Sequence, residues 1–186
     1  MYQQIIRERF ERASPFLYQG KNWYPEAQHW CLKLSKEYDV PIRLVAGLTA
    51  LFSPLKSWEI NKRLVEGYLE CQECGTFSYQ KTRATKLWSE VITHLDDDRQ
   101  DNYIMKTLNG KKVTSFYHNI VYPHSSEKVT IDSHIINVVH PGLIMTPNRY
   151  ICIEKSFQDV SKEVKLTPSQ LQATLWIQQK NERNNS

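Results

Sequence analysis

Apolar side chains recur along this chain at helical rather than strand spacing. Residues 2–12 place Ile5, Ile6, Arg9 and Phe10 on helical turns. Asn22-Trp23-Tyr24-Pro25 reads as the start of a second helix, with Pro25 in its first turn. Trp30, Leu32, Leu34 and Tyr38 would be its buried side. Asp39-Val40-Pro41 breaks that helix, and the near-continuous apolar run IRLVAGLTALF reads as a core helix ending near Ser53-Pro54. Ser53 or Ser57 can cap the next helix, on which Trp58, Leu64, Val65 and Tyr68 recur. Gly75 marks a turn, and residues 81–95 carry Ala84, Leu87, Trp88, Val91 and Leu95 on one face. The run Asp96-Asp97-Asp98 reads as a loop or a helix start, with a short helix around 101–108 behind it. Leu108-Asn109-Gly110 is a turn signal, and a helix from about 112 to 121 follows.

VTIDSHIINVV is ambiguous. Val129-Thr130-Ile131 alternates like a strand, whereas Asp132-Ser133 reads as the cap of a helix. At the far end Thr167 and Gln170 form a capping box, Pro168 takes the first helical position, and Leu166 can staple against Leu171. This last helix is expected to run to about Lys180, before a polar tail. The fold class expected is all-α, as one helical domain over 1–186 or two lobes sharing an interface.

Composition narrows the class. Of 186 residues, 40% are hydrophobic and 24% charged, with 6 Gly and 8 Pro, so collagen-like and disordered readings fall away. No run of about 18 apolar residues suggests a membrane span. The charged N-terminus lacks the apolar stretch of a secretory signal, so a cytoplasmic protein is expected. A net charge of +4 is compatible with nucleic acid. Of Cys31, Cys71, Cys74 and Cys152, only Cys71 and Cys74 form a C-x-x-C. No second Cys/His pair follows at zinc-site spacing, and His118 and His124 suit no ligand set, so no metal is expected.

Candidate chemistry concentrates in residues 108–134. A helix, a tight glycine hairpin and a second helix can aim backbone N–H groups at a phosphate, with Lys111 and Lys112 adding positive charge. Asp132 opens another helix, where the dipole favours negative charge. A lysine and an aspartate, each at a helix start, can converge on one pocket. The plainer alternatives are a solvated Gly-Lys-Lys turn and an aspartate that only caps.

Leu108-Asn109-Gly110-Lys111-Lys112-Val113 followed by Ile131-Asp132-Ser133-His134 resembles the signature of the helix-hairpin-helix DNA glycosylase superfamily, which includes endonuclease III and the 8-oxoguanine glycosylases. There a Leu-Pro-Gly-x-Gly-x-Lys hairpin precedes a Val-Asp-x-His segment. The upstream LVAGLTALFSPLKSWEINKRL is similar to that superfamily's N-terminal helix and duplex-wedging loop, so the likeness covers roughly residues 40–140, with the hairpin region at about 101–140. The hairpin here lacks the Pro-Gly-x-Gly sequence, and no C-terminal cysteine cluster follows, so neither an iron–sulfur centre nor any other cofactor is expected. The pattern looks closer to divergent phage-encoded relatives that act on hypermodified thymines, the glutamyl- or putrescinyl-thymine pyrophosphorylases and the amino acid:DNA transferases. If phage-encoded, the chain would work in the host cytoplasm.

The resemblance implies a two-lobed helical fold, a monomer on double-stranded DNA, and a flipped-out nucleotide. It makes Asp132 the essential carboxylate and Lys112 either a Schiff-base nucleophile or a phosphate contact. Gly110, Lys111 and His134 would contact the DNA backbone. Ser53, Leu55 and Lys56 become wedge candidates. Trp58 and Asn61, one helical turn apart, could reach the same groove, although Trp58 reads first as a core residue and Asn61 as a cap or packing residue. Trp23, Tyr24 and Glu26 are candidate cleft residues, while Gln172 and Trp176 share a face of the last helix and read first as packing. Three functions follow: a glycosylase or glycosylase–lyase, a glycosylase-fold transferase modifying a base in phage DNA, and a non-catalytic DNA-binding module.

Overall fold

A computed structural model describes residues 1–71, 78–94 and 100–184. The side chain of Cys71, together with Cys74, Gly75, Leu95 and the Asp96–Asp98 run, lies outside that description. The described residues are helical, with no strand among them. In order they form α1 (Tyr2–Arg12), α2 (Leu17–Glu37), α3 (Ile42–Phe52), α4 (Trp58–Cys71), α5 (Ser78–Thr93), α6 (Gln100–Leu108), α7 (Lys111–Val121), α8 (Ser133–Val139), α9 (Pro147–Glu163) and α10 (Pro168–Asn184). None of these helices is long and apolar enough to cross a membrane.

The chain divides into two compact units. The first combines Met1–Ala27 with Tyr122–Ser186, and the second is the contiguous stretch Gln28–Val121.

In the second unit α3 is the central element, packed against α4, α5, α6 and α7. Every residue from Leu44 to Phe52 is buried, as its uninterrupted apolar run requires. Gly47 lets Leu87 of α5 come close, since a Cβ there would lie 2.9 Å from Leu87 Cδ2. Arg43 Nε donates to Asp101 Oδ1 at 2.8 Å, and the Tyr117 hydroxyl donates to the same oxygen at 2.6 Å, tying α3, α6 and α7 together.

In the first unit α1, α8, α9 and α10 enclose a core that includes Ile6, Ile135, Ile153, Phe157 and Leu171. The capping box forms as expected: Gln170 N donates to Thr167 Oγ1 at 3.2 Å, and Thr167 N to Gln170 Oε1 at 3.0 Å. α9 has no counterpart in the sequence reading, although Thr146-Pro147 repeats the Thr167-Pro168 start and Arg149 N donates to Thr146 Oγ1. Residues 129–131 form no strand. Their backbone groups bond instead to α9 side chains: Val129 N to Glu154 Oε1 at 3.2 Å, Ile131 N to the Tyr150 oxygen at 3.4 Å, and the Tyr150 hydroxyl to Val129 O at 2.7 Å. That pairing satisfies a buried segment without a neighbouring strand.

Three expectations are corrected. The second helix begins at Leu17, so Pro25 lies inside it. Its true start is the 3₁₀ turn Ser14–Phe16, which carries Pro15 and runs directly into α2. Leu32 is 39% exposed, because the buried stripe of α2 is Tyr24, Ala27, Cys31 and Leu34. The last helix continues to Asn184, where Arg9 pairs with Glu182 at 3.1 Å.

Candidate functional site

In the second unit the hairpin joins α6 to α7 through Asn109 (φ 47°) and Gly110 (φ 108°). Asparagine tolerates the left-handed region better than other side chains, and glycine enters it freely. Asn109 N donates to Met105 O at 3.1 Å, and Thr114 N to Gly110 O at 3.1 Å, so the turn is closed from both sides. Arg83 of α5 donates to Thr107 O at 2.8 Å and also to Leu108 O. A cation on those last carbonyls complements the C-terminal end of α6. α7 begins at Lys111, which is exposed, while Lys112 is half-buried. Sequence reasoning misses Arg83, because its link to the hairpin spans 24 residues and leaves no local signal.

The loop between α3 and α4 carries the wedge candidates. Ser53 Oγ donates to Ala50 O at 2.9 Å, and Lys56 N to Ser53 O at 3.3 Å. Ser57, not Ser53, caps α4, its Oγ accepting from Ile60 N at 3.3 Å. Leu55 stands fully exposed at φ 60°, a conformation unfavourable for a leucine. Asn61 does not reach the surface: it is 2% exposed, and its Nδ2 donates to Thr49 O at 3.0 Å. Its amide is engaged in joining α4 to α3, so it is not a groove-facing residue. Trp58 packs edge-on against Trp30 at 5.5 Å.

The first unit holds Asp132 and His134. Asp132 is the N-cap of α8, and its Oδ1 accepts from Ile135 N at 3.0 Å. Its Oδ2 accepts from Trp176 Nε1 at 3.0 Å. The carboxylate is thus held on both oxygens, one by a helix amide and one by an indole. Around Trp176 lie Trp23 at 5.7 Å and His134 at 6.1 Å, both edge-on, with Lys180 Nζ 4.4 Å from the ring centre. Trp23 meets Tyr24 edge-on at 4.8 Å. The Tyr24 hydroxyl donates to Gln172 Oε1 at 2.8 Å and lies 3.0 Å from Thr130 Oγ1. One cluster therefore joins Asp132, His134, Trp23, Tyr24, Gln172 and Trp176. Glu26, the third cleft candidate, is exposed. Of the residues expected to act together, Asp132 and His134 share this unit, while Gly110, Lys111, Lys112, Ser53, Lys56 and Asn61 belong to the other.

A half-buried carboxylate held by a helix amide and an indole N–H can stabilise a developing positive charge or accept a proton. Among the described residues no group of three His, Cys, Asp or Glu side chains could hold a metal ion.

No curated protein and no solved structure matches the chain. Over residues 1–183 it matches DUF7178, a family of unknown function, and the chain belongs to that family.

Proposed function

We propose that this protein is a DNA-binding, base-flipping enzyme of the DNA N-glycosylase type, built on a two-lobed helix-hairpin-helix fold and acting as a monomer on a damaged or modified base in double-stranded DNA. The observation that carries the reading is the carboxylate of Asp132, held by a helix amide and by the indole of Trp176, in a chain that also carries a glycine hairpin followed by two lysines. Asp132 spends one acceptor position on each oxygen, leaving the others for a sugar losing its base, on which positive charge builds. Aromatic faces suit a planar base taken out of the stack. The exposed Leu55 supports the same reading, since an apolar side chain at the tip of a hydrogen-bonded turn can fill the gap a flipped base leaves.

Lys112 is the candidate nucleophile. Its amine would attack C1′, the base leaving with the bonding electron pair, and the ring-opened imine would be reducible. A free lysine titrates near ~10.4, so this role needs surroundings that favour the neutral amine. As a phosphate contact it would stay charged, and Asp132 would activate water instead.

The test mixes the protein with a duplex carrying one abasic site in the presence of borohydride, beside Lys112→Gln and Asp132→Asn. A trapped adduct that disappears in Lys112→Gln supports a glycosylase–lyase. Tight binding without an adduct points to a monofunctional glycosylase, a base-modifying transferase or a passive module. Absence of binding to any duplex overturns the reading.

A further inference from the structure

Gln172 is 4% exposed and precedes Trp176 by one turn of α10. Residues four apart on a helix share one face. A carboxamide oxygen only accepts, so the Tyr24 proton points to Gln172 Oε1, and Thr130 Oγ1 flanks the same hydroxyl. This is the one side-chain hydrogen bond of Gln172 among the described residues. Tyr24 is itself 3% exposed, so both partners are fixed by packing. With the oxygen turned to Tyr24, the amide plane turns Nε2 and its two N–H donors the other way. Nε2 has no protein acceptor, and it is not among the side-chain atoms sealed from solvent. The result is a pair of oriented, unspent donors one helical turn from Trp176, whose indole bonds Asp132.

We propose that Gln172, oriented by Tyr24, reads the substrate: Nε2 donates to a ring carbonyl of the flipped base, so the site selects nucleobases that present an oxo group. The inference rests on the base-flipping reading above and deepens it. Bidentate recognition of an adenine edge needs both the oxygen and the nitrogen of a carboxamide. Here the oxygen faces Tyr24, and the edge on offer is donor-only. Trp23, edge-on to both Tyr24 and Trp176, walls the same cluster.

Tyr24 is a positioning residue in this scheme and Gln172 the specificity residue. The experiment compares three duplexes by fluorescence anisotropy. Each has a tetrahydrofuran abasic analogue in one strand, faced by thymine, by difluorotoluene (the same shape without carbonyl oxygens), or by a second tetrahydrofuran. Nothing pairs with the test residue, so flipping meets no pairing cost. Wild type should prefer thymine over difluorotoluene by about ten-fold, the scale of one good hydrogen bond. Gln172→Met should abolish that preference and leave affinity for the double tetrahydrofuran duplex within two-fold. Tyr24→Phe should give an intermediate preference, since the amide loses its lock but keeps its donors.

Equal affinity of the wild type for thymine and difluorotoluene would mean that the amide faces only water. That result overturns the inference while the DNA reading stands, and it needs no variant to fold. A preference that survives in folded Gln172→Met overturns it too, by assigning the reading to another donor. No binding to any of the three duplexes removes the base-flipping reading, and this inference with it.

Discussion

Asp132 caps α8, and the proposed function adds a catalytic role that substitution can test separately. Its Oδ1 caps α8 through Ile135 N, and asparagine caps a helix about as well as aspartate. Asp132→Asn keeps that cap but turns an NH2 towards the Trp176 Nε1–H, so it should cost about 1–3 kcal/mol of stability through the lost indole bond. The variant should still fold yet lose base release, because a neutral amide neither stabilises an oxocarbenium ion nor activates water. Trp176→Phe keeps a ring in place but removes the Oδ2 donor, and should slow base release by roughly ten-fold with duplex affinity unchanged. Urea unfolding and single-turnover assays on both variants check this. A stability loss above about 3 kcal/mol in Asp132→Asn would make the residue a cap first. Cys31 offers a further residue-scale test. Burial pushes its thiol from an ordinary value of 9.0 up to about 12, with the Thr49 hydroxyl acting weakly in the opposite direction. Folding thus favours the neutral thiol: its contribution is complete below about pH 9 and is lost as pH rises towards 12. At pH 8 an alkylating reagent should modify the exposed Cys152 in the native protein and reach Cys31 only after unfolding, as read by peptide mass spectrometry.

At the scale of elements, the α3–α4 loop is where local strain and the proposed function meet. A leucine at φ 60° costs about 1 kcal/mol relative to glycine, and full exposure returns no packing. Leu55→Gly should accordingly raise stability by up to about 1 kcal/mol, while weakening binding to a duplex that must open around a flipped base. Improved stability with unchanged affinity for an abasic-site duplex would remove Leu55 from the wedge role. What the chain reveals locally follows the range of each interaction. α3, the Thr167–Gln170 capping box and the Asp132 cap were legible because their determinants sit within a few residues of one another. The start of α2 was not, since Pro25 imitates an N-terminal proline while the real first turn hides in a 3₁₀ segment. The contacts that complete the site span 44 residues from Trp176 to Asp132 and 148 from Tyr24 to Gln172. No periodicity encodes such pairs; only the packed helices bring them together.

At the scale of the whole molecule, the first unit is assembled from both ends of the chain. α1 meets α9 through Gln3 Nε2 to Asp159 Oδ2 at 2.8 Å and the forked Arg7–Glu163 pair at 2.7 Å, with Ile6 fully buried beneath. Arg7 holds the Glu163 carboxyl below the usual carboxylate range, so the contribution of this pair is present above that range and fades as pH falls through the lowered value. Both groups are near half-exposed, and such pairs contribute little and are screened by salt. Close approach of helices matters more. A Cβ on Gly20 of α2 would lie 2.0 Å from Thr174 Oγ1 and 2.6 Å from Thr174 Cα on α10, so these helices pack backbone against side chain where only glycine fits. Gly20→Ala should lower stability by about 3 kcal/mol, the upper end of overpacking costs, and should disturb the α10 face that carries Gln172 and Trp176. Adding Thr174→Ala removes the hydroxyl but leaves the Cα at 2.6 Å, so the double variant should recover only a minor part of the loss. Thermal unfolding of the single and double variants decides it. A wild-type melting temperature for Gly20→Ala would mean that α10 is not held this close to α2, and the alignment of Trp176 on Asp132 would then need another support.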